Sequence, residues 1–327
     1  MRYRRFGRLG WSVSDVGYGM WGIGGGDGGW TGSDDTAGNA ALEEAVRLGC
    51  TFFDTAWAYG DGHSERLLGG LLERTPDRRL YVATKVPPKN RQWPSTRESR
   101  LDDVFPADYL REYAERSREN LGADRIDLLQ FHVWEDAWAA DPRWQDAVVG
   151  LKADGLIEGV GISINRWEPW NGLRTLDTGL IDAVQVIYNI FDQAPEDELF
   201  PACQERDIAV IARVPFDEGT LTGTLTRESR WPEGDWRNTY FVPANLEASV
   251  GRAEALRDII PAGMTMPELA LRFILHHPAV SSVIPGMRKT TNVQANLAVS
   301  DTPPLDAELL AALRHHRWDR TPTAWSQ

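Results

Sequence analysis

The stretch MWGIGGGDGGWTGSDD, residues 20–35, follows a strand-like run, DVGYGM (15–20), and admits two opposed readings of the fold. Gly24, Gly26 and Gly29 spell G-x-G-x-x-G, and Asp54 closes the next strand-like segment, FFD. That is the outline of a dinucleotide-binding turn in a doubly wound sheet. Such a turn needs its helix to begin within the glycines, so that the first N–H groups meet the pyrophosphate. Here WTGSDDT separates Gly29 from the helical pattern AGNAALEEAVRLG (37–49). The glycines therefore read as a free loop at the mouth of the first strand.

Outward from that loop, short β-branched runs alternate with longer helical patterns. After 15–20 come CTFFDTA (50–56), LYVATKV (80–86), IDLLQFHV (126–133), IEGVGIS (157–163), AVQVIYN (183–189), IAVIARV (208–214) and SSVIPG (281–286). Between them, the first helix pattern carries Ala41, Leu42, Ala45, Val46 and Leu48 on one face. DYLREYAERSRENLG (108–122) repeats Tyr109, Leu110, Tyr113, Ala114, Ser117 and Leu121 at helical spacing and ends in glycine. WQDAVVGLKADG (144–155) and ELALRFILHH (268–277) behave alike. Eight strands separated by helices predict an α/β chain with a parallel sheet. Eight is also the number that closes a (β/α)8 TIM barrel of ~250 residues plus insertions. No Pro/Ser-rich linker divides residues 1–327, so one domain is expected. RYRRFGRLGWSVSD reads as a hairpin turning near Leu9-Gly10 and capping the barrel bottom. A long irregular stretch, 217–245, follows the seventh strand and holds Trp231, Trp236, Tyr240 and Phe241. A loop of that length is usually functional or disordered.

Composition narrows the function. The chain is 42% hydrophobic and 25% charged, as ordinary globular proteins are. A net charge of -13 argues against a nucleic-acid surface, which needs clustered Lys and Arg. No apolar run has the length of a signal core or a membrane helix. Cys50 and Cys203 have no motif spacing and suit a reducing cytoplasm. His276-His277 and His315-His316 lack a carboxylate or cysteine at ligand spacing, so no metal is expected. G-x-S-x-G and P-loop motifs are absent, against hydrolase and NTPase readings. Nothing in the sequence sets the oligomeric state.

In a barrel, chemistry sits at the C-terminal ends of the strands. Strand two ends in Asp54, with Tyr59 five residues on; strand three carries Lys85; strand four ends in His132. Each has a bland reading: a turn cap, a surface tyrosine, a snorkelling lysine, a structural histidine. Four such groups at neighbouring strand ends are harder to set aside.

These residues carry a resemblance. FDTAWAYGDGHSERLLGGLL, VATK, LLQFHVW, VGIS, VQVIYN and SSVIPG, in order from Gly17 to about Val299, resemble the aldo-keto reductases. The resemblance implies an NADPH-dependent carbonyl reductase on a TIM barrel, its cofactor extended across the mouth without a Rossmann domain. On this reading, Tyr59 is the proton donor, Lys85 lowers its pKa, Asp54 holds Lys85, and His132 bonds the carbonyl oxygen. The glycine loop becomes a substrate-side loop. The cofactor is expected against Gly19, Met20, Trp21 and Asp54, with Ser163 and Gln185 on the carboxamide. The family commonly has Asn after that Ser; here Ile164 intervenes before Asn165. Where many members stack an aromatic ring on the nicotinamide, this chain has Arg213. Val214, Pro215, Phe216 and the backbone N–H groups of Gly219, Leu221 and Gly223 match the pyrophosphate loop, with Asp217 and Glu218 expected to point away. Gly286, Arg288, Asn292 and Asn296 match the adenosine-phosphate segment. Trp21, Trp57 and Trp134, with Tyr59 and His132, are expected to wall a substrate pocket for a ring-bearing carbonyl. The alternatives are a sugar or lactol dehydrogenase working oxidatively, and a non-catalytic cofactor-binding subunit that reports redox state.

Overall fold

The structure, a computed structural model, describes residues 1–25, 30 and 32–325. Gly26 and Gly29 of the glycine motif lie outside the described residues. A two-stranded hairpin, β1 (Tyr3–Phe6) and β2 (Trp11–Ser14), precedes eight parallel strands. These are β3 (Tyr18–Gly19), β4 (Phe52–Asp54), β5 (Tyr81–Val86), β6 (Ile126–Phe131), β7 (Ile157–Ser163), β8 (Ala183–Ile187), β9 (Ala209–Arg213) and β10 (Val280–Val283). They hydrogen-bond in sequence order from β3 to β10. Parallel bridges Val16–Val283 and Gly19–Gly286 then join the two edges. The seam is built from Gly17 N–H to the Val283 carbonyl (2.8 Å) and Gly19 N–H to the Pro285 carbonyl (3.0 Å). Gly19 is required there, because a Cβ on it would stand 2.7 Å from the Ile284 carbonyl oxygen. The (β/α)8 barrel read from the spacing of the strands is the fold.

The helices form where the apolar stripes predict them. Helix Asp35–Arg47 buries Ala41, Leu42, Ala45 and Val46 and is capped by Asp34, which accepts from the Thr36 and Ala37 N–H groups at 2.7 and 3.1 Å. Helix Ala107–Leu121 buries the six predicted residues and stops at Gly122, whose φ of 60° is left-handed. The hairpin turns at Gly7–Leu9 and Gly10. Phe6, Trp11 and Val13 pack with Phe52, Ala83, Leu128, Ala183 and Ala209 at the strands' N-terminal ends, closing the bottom.

The stretch 217–245 is more ordered than its sequence suggests. It opens with 3-10 turns over Asp217–Thr222 and forms the short helix Arg237–Tyr240 before helix Pro243–Arg257. Its aromatics supply a satellite core: Trp231 stacks on Phe241 at 5.1 Å, and Tyr240, Phe241 and Trp167 are buried together with Leu246 and Val250.

Candidate active site

Side chains along a strand alternate between faces. One parity faces the barrel axis, and its lower layer is apolar: Phe52, Ala83, Leu128, Ala183 and Ala209. Two residues further along the same strands stand Asp54, Lys85, Gln130, Gln185 and Ile211, and four further along two of them stand His132 and Arg213. Strand alternation alone thus raises the polar groups into one ring at the C-terminal mouth.

At its centre Lys85 is fully buried. Its Nζ donates to Asp54 Oδ1 at 2.6 Å, to the Thr55 carbonyl at 2.7 Å and to Tyr59 Oη at 3.4 Å. Burial pulls the ammonium's pKa down, but Asp54 and then Tyr59 more than restore it, so the lysine stays charged. Asp54 Oδ2 accepts from Gln185 Nε2 at 2.7 Å and Gln130 Nε2 at 3.1 Å. The Tyr59 phenol sits net above its ordinary value, since burial outweighs the lowering by Lys85 while Asp54 adds to the rise. The sequence reading expected the lowering to prevail; depth in the mouth reverses it. His132 meets Tyr59 edge-on at 5.7 Å between ring centroids. Burial, Lys85 and Arg213 hold its imidazole well below the usual value, hence neutral. Its Nδ1 is buried without a partner among the described residues.

The remaining expected residues divide. Trp21 lines the mouth, 6.5 Å from Tyr59 and 5.1 Å from Trp236 of the 217–245 stretch, with Trp30 beside both. Trp134 does not line it. Its side chain is fully buried against Phe131, Trp138 and Trp144, and its Nε1 donates to Thr175 Oγ1 at 2.8 Å. Trp134 shares the parity of His132 but lies past the end of β6, where strand alternation no longer holds, and its ring turns into the helix layer as scaffold. Trp57 lies half-buried, edge-on to Tyr113 with the Arg91 guanidinium over it, and so anchors a loop.

Ser163, the last residue of β7, pairs in register with Gln185 in the middle of β8. Asn165 is spent: its Nδ2 donates to Ser95, the Trp134 carbonyl and Glu135. Asp217 and Glu218 are turned into arginines, Asp217 to Arg320 at 2.8 Å and Glu218 to Arg166 at 2.7 Å. The N–H groups of Gly219 and Leu221 bond the Phe216 carbonyl, and that of Gly223 the Thr220 carbonyl. Those three N–H groups thus hold the turn itself together. The same turn follows Val214, which carries a left-handed φ of 55°. Gly19, Met20 and Trp21 leave β3 toward the mouth, the Met20 N–H bonding the Asp54 carbonyl at 2.9 Å. Gly286 and Asn292 are exposed and Asn296 is buried, around helix Thr290–Ala298. Arg288 donates to the Gly32 carbonyl and lies 6.0 Å over Trp30.

Sequence reading missed Gln130, Trp93 and Arg166. Gln130 was findable, because it shares parity with Lys85's neighbours and His132. Trp93 meets His132 edge-on at 5.8 Å from a loop that no period marks. Among the described residues no group of His, Cys, Asp or Glu is arranged to hold a metal, and no helix is long and apolar enough to cross a membrane. A separate cavity of about 240 Å³ lies between the loops after β7 and β8 and the tail residues Arg317–Thr321, away from the tetrad.

The family model of the Aldo/keto reductase family matches residues 15–317. The chain belongs to this family. The NADH-specific methylglyoxal reductase of Escherichia coli is 29% identical over 91% of this chain and 93% of its own length. D-threo-aldose 1-dehydrogenase of a Pseudomonas species is 31% identical over 81% and 83%. An aldo-keto reductase of Bacillus halodurans, solved in its holo form, superposes with a TM-score of 0.76 at 25% identity over the whole of both chains. This aldo/keto reductase is thus an NAD(P)H-dependent oxidoreductase of a family acting on small carbonyl substrates.

Proposed function

We propose that this aldo/keto reductase reduces an aldehyde or ketone with NADPH, and that Tyr59 delivers the proton. The observation that carries the reading is Lys85, buried and charged, bridging Asp54 and the Tyr59 hydroxyl. A nicotinamide cofactor suits the opposite wall of the mouth. Among the described residues Arg213 Nε and His132 Nδ1 are buried without partners, and Ser163, Gln185 and Arg213 lie on the consecutive strands β7, β8 and β9. Bound there, the cofactor supplies the hydride. The rest is the work of the chain. Neutral His132 hydrogen-bonds the carbonyl oxygen and orients it toward Tyr59. The protonated phenol gives up its proton as charge builds on that oxygen, and the Lys85 ammonium stabilises the phenolate left behind. Asp54, fixed by Gln130 and Gln185, keeps Lys85 aimed. Trp21, Trp30 and Trp236 supply an apolar wall that keeps water from the reacting carbon and suits a ring-bearing substrate. Buried, unpaired Cys50 and Cys203 fit a reducing, cytoplasmic setting.

For the cofactor's phosphates the reading uses the turn Val214–Gly223 and Arg288, and Arg288 is the basis for NADPH over NADH. A charge-assisted contact of this kind contributes about 1.5–3 kcal/mol. Arg288→Ala should weaken NADPH by that amount and leave NADH nearly unchanged. Equal affinities for the two in the unaltered protein would remove the assignment. The activity itself is tested by following NADPH oxidation with a panel of aromatic, aliphatic and sugar aldehydes. Saturable turnover is expected. A protein that binds NADPH but turns over no carbonyl would instead be the cofactor-reporting subunit, and one that acts only on sugars with the oxidised cofactor would be the dehydrogenase.

A further inference from the structure

One charge at the mouth has no ion-pair partner among the described residues. Asp54 is matched by Lys85 at 2.6 Å and Glu218 by Arg166 at 2.7 Å, while Asp217, at 2.8 Å, and Asp192 share Arg320. His132 is neutral. Arg213, half-buried at the end of β9, is left over. Its Nη2 donates to the Ile164 carbonyl at 3.1 Å, its Nε is buried without a partner, and among the described residues it forms no ion pair. A carbonyl accepts a hydrogen bond but cancels no charge. Burial and the nearby Arg166 bring the guanidinium down to about 10, with Glu218, Tyr59 and Asp54 opposing, so it remains charged at neutral pH. Arg213 therefore stands at the mouth as a buried guanidinium with no carboxylate bonded to it, beside the site where the proposed chemistry changes the charge of a ring.

We propose that Arg213 sets the oxidation-state preference of the bound cofactor, favouring the neutral dihydronicotinamide over the cationic nicotinamide. This rests on the cofactor placement proposed above. The electron-rich reduced ring is a good partner for a guanidinium plane. The oxidised ring brings a second cation against one that no carboxylate bonds, in a medium where like charges a few ångströms apart repel far more than in water. An aromatic residue at this position would tolerate both forms. NADPH and NADP+ share both pyrophosphate and adenosine, so every contact outside the nicotinamide cancels in the ratio of their dissociation constants. The functional consequence is that the reduced cofactor is retained until it reacts, and the oxidised one is expelled once hydride has left. Product release is often the slow step in well-evolved enzymes. Arg213 would shorten it for reduction and would penalise cofactor loading for alcohol oxidation.

The test is to measure dissociation constants of NADPH and NADP+ by quenching of intrinsic tryptophan fluorescence, in the unaltered protein, Arg213→Gln and Arg213→Lys. The unaltered protein should hold NADPH at least about tenfold more tightly than NADP+. Arg213→Gln should shrink that ratio about tenfold or more, mainly by tightening NADP+; a tenfold change lowers the midpoint potential of the bound couple by ~30 mV. Arg213→Lys keeps the charge and should keep most of the ratio. A ratio near one in the unaltered protein overturns the proposal. So does a Gln variant that weakens both forms equally, since Arg213 would then be a contact and not a charge selector. Unaltered protein that binds neither form saturably would instead bring down the cofactor reading itself.

Discussion

At the scale of single residues, the proposed chemistry turns on Tyr59 and on the groups that surround it. Tyr59→Phe keeps the ring's packing against His132 and removes the transferable proton. General acid catalysis of this kind is worth ~10²–10⁴-fold, so kcat should fall at least that far with little change in cofactor affinity. Retention of more than about a tenth of kcat, with hydride transfer rate-limiting, would show that another group donates. The direction of the pKa shift makes a second demand. Reduction needs the phenol protonated, and burial raises it above its ordinary value of 10.0. The kcat for reduction should therefore stay flat from about pH 6 to 9. Oxidation needs the phenolate, so its kcat should rise about tenfold per pH unit over the same span. His132 is held below its usual value and should add no inflection near 6.5. A bell centred near neutrality for reduction would contradict both assignments.

At the scale of elements, the loop that opened the sequence serves Tyr59. A Cβ on Gly24 would stand 2.8 Å from Tyr59 Cβ and 3.1 Å from its carbonyl oxygen. Gly24 lets the turn after β3 lie directly on the tyrosine-bearing loop after β4. Gly24→Ala must push the phenol off its axis with Lys85, and a displacement near 1 Å costs ~10²-fold. A variant with full kcat would show that the loop yields freely. The barrel, the hairpin and the tetrad were all legible, because strand period, helix stripes and polar residues at strand ends are local signals. The side-chain directions beyond strand ends were not. His132 stands just past the end of β6 and faces in, and Trp134, two positions on, lies where alternation has lapsed and points into the helix layer. Asp217 and Glu218 could not be paired from sequence either, since Arg320 and Arg166 come from distant segments. The wall reading now divides: Trp21→Ala should cost an aromatic aldehyde ~0.5–1.5 kcal/mol in kcat/KM beyond what a short aliphatic aldehyde loses. Trp134→Ala should lower stability by ~3–5 kcal/mol and penalise both aldehydes equally. A selective effect at Trp134 would return it to the pocket.

At the scale of the molecule, the C-terminal tail clasps the turn after β9. Arg320 is buried between the rings of Trp167 and Trp318, 4.5 and 4.4 Å from their centroids. It bonds both Asp192, from the loop after β8, and Asp217, in the proposed phosphate turn. Three segments far apart in sequence thus meet on one guanidinium, and Asp217 keeps its left-handed φ of 46° beside it. Removing the arginine leaves two carboxylates facing each other out of water, a loss of about 3–5 kcal/mol when one partner of a buried pair is deleted. Arg320→Met fills most of the volume and removes the charge together with its hydrogen bonds. Asp192 already sits above the ordinary carboxyl value, chiefly through burial, with Arg320 pulling it down and Asp217 pushing it up. Without Arg320 it rises further. A folded-state pKa above the unfolded one means the native state binds more protons, so stability falls as pH rises from about 4. The deficit of Arg320→Met, measured by urea unfolding, should accordingly be large near pH 8 and shrink toward pH 5. NADPH binding should weaken in parallel as the turn is released. A deficit equal at both pH values would mean that the arginine acts as packing between two indoles, and that the tail does not hold the turn by charge.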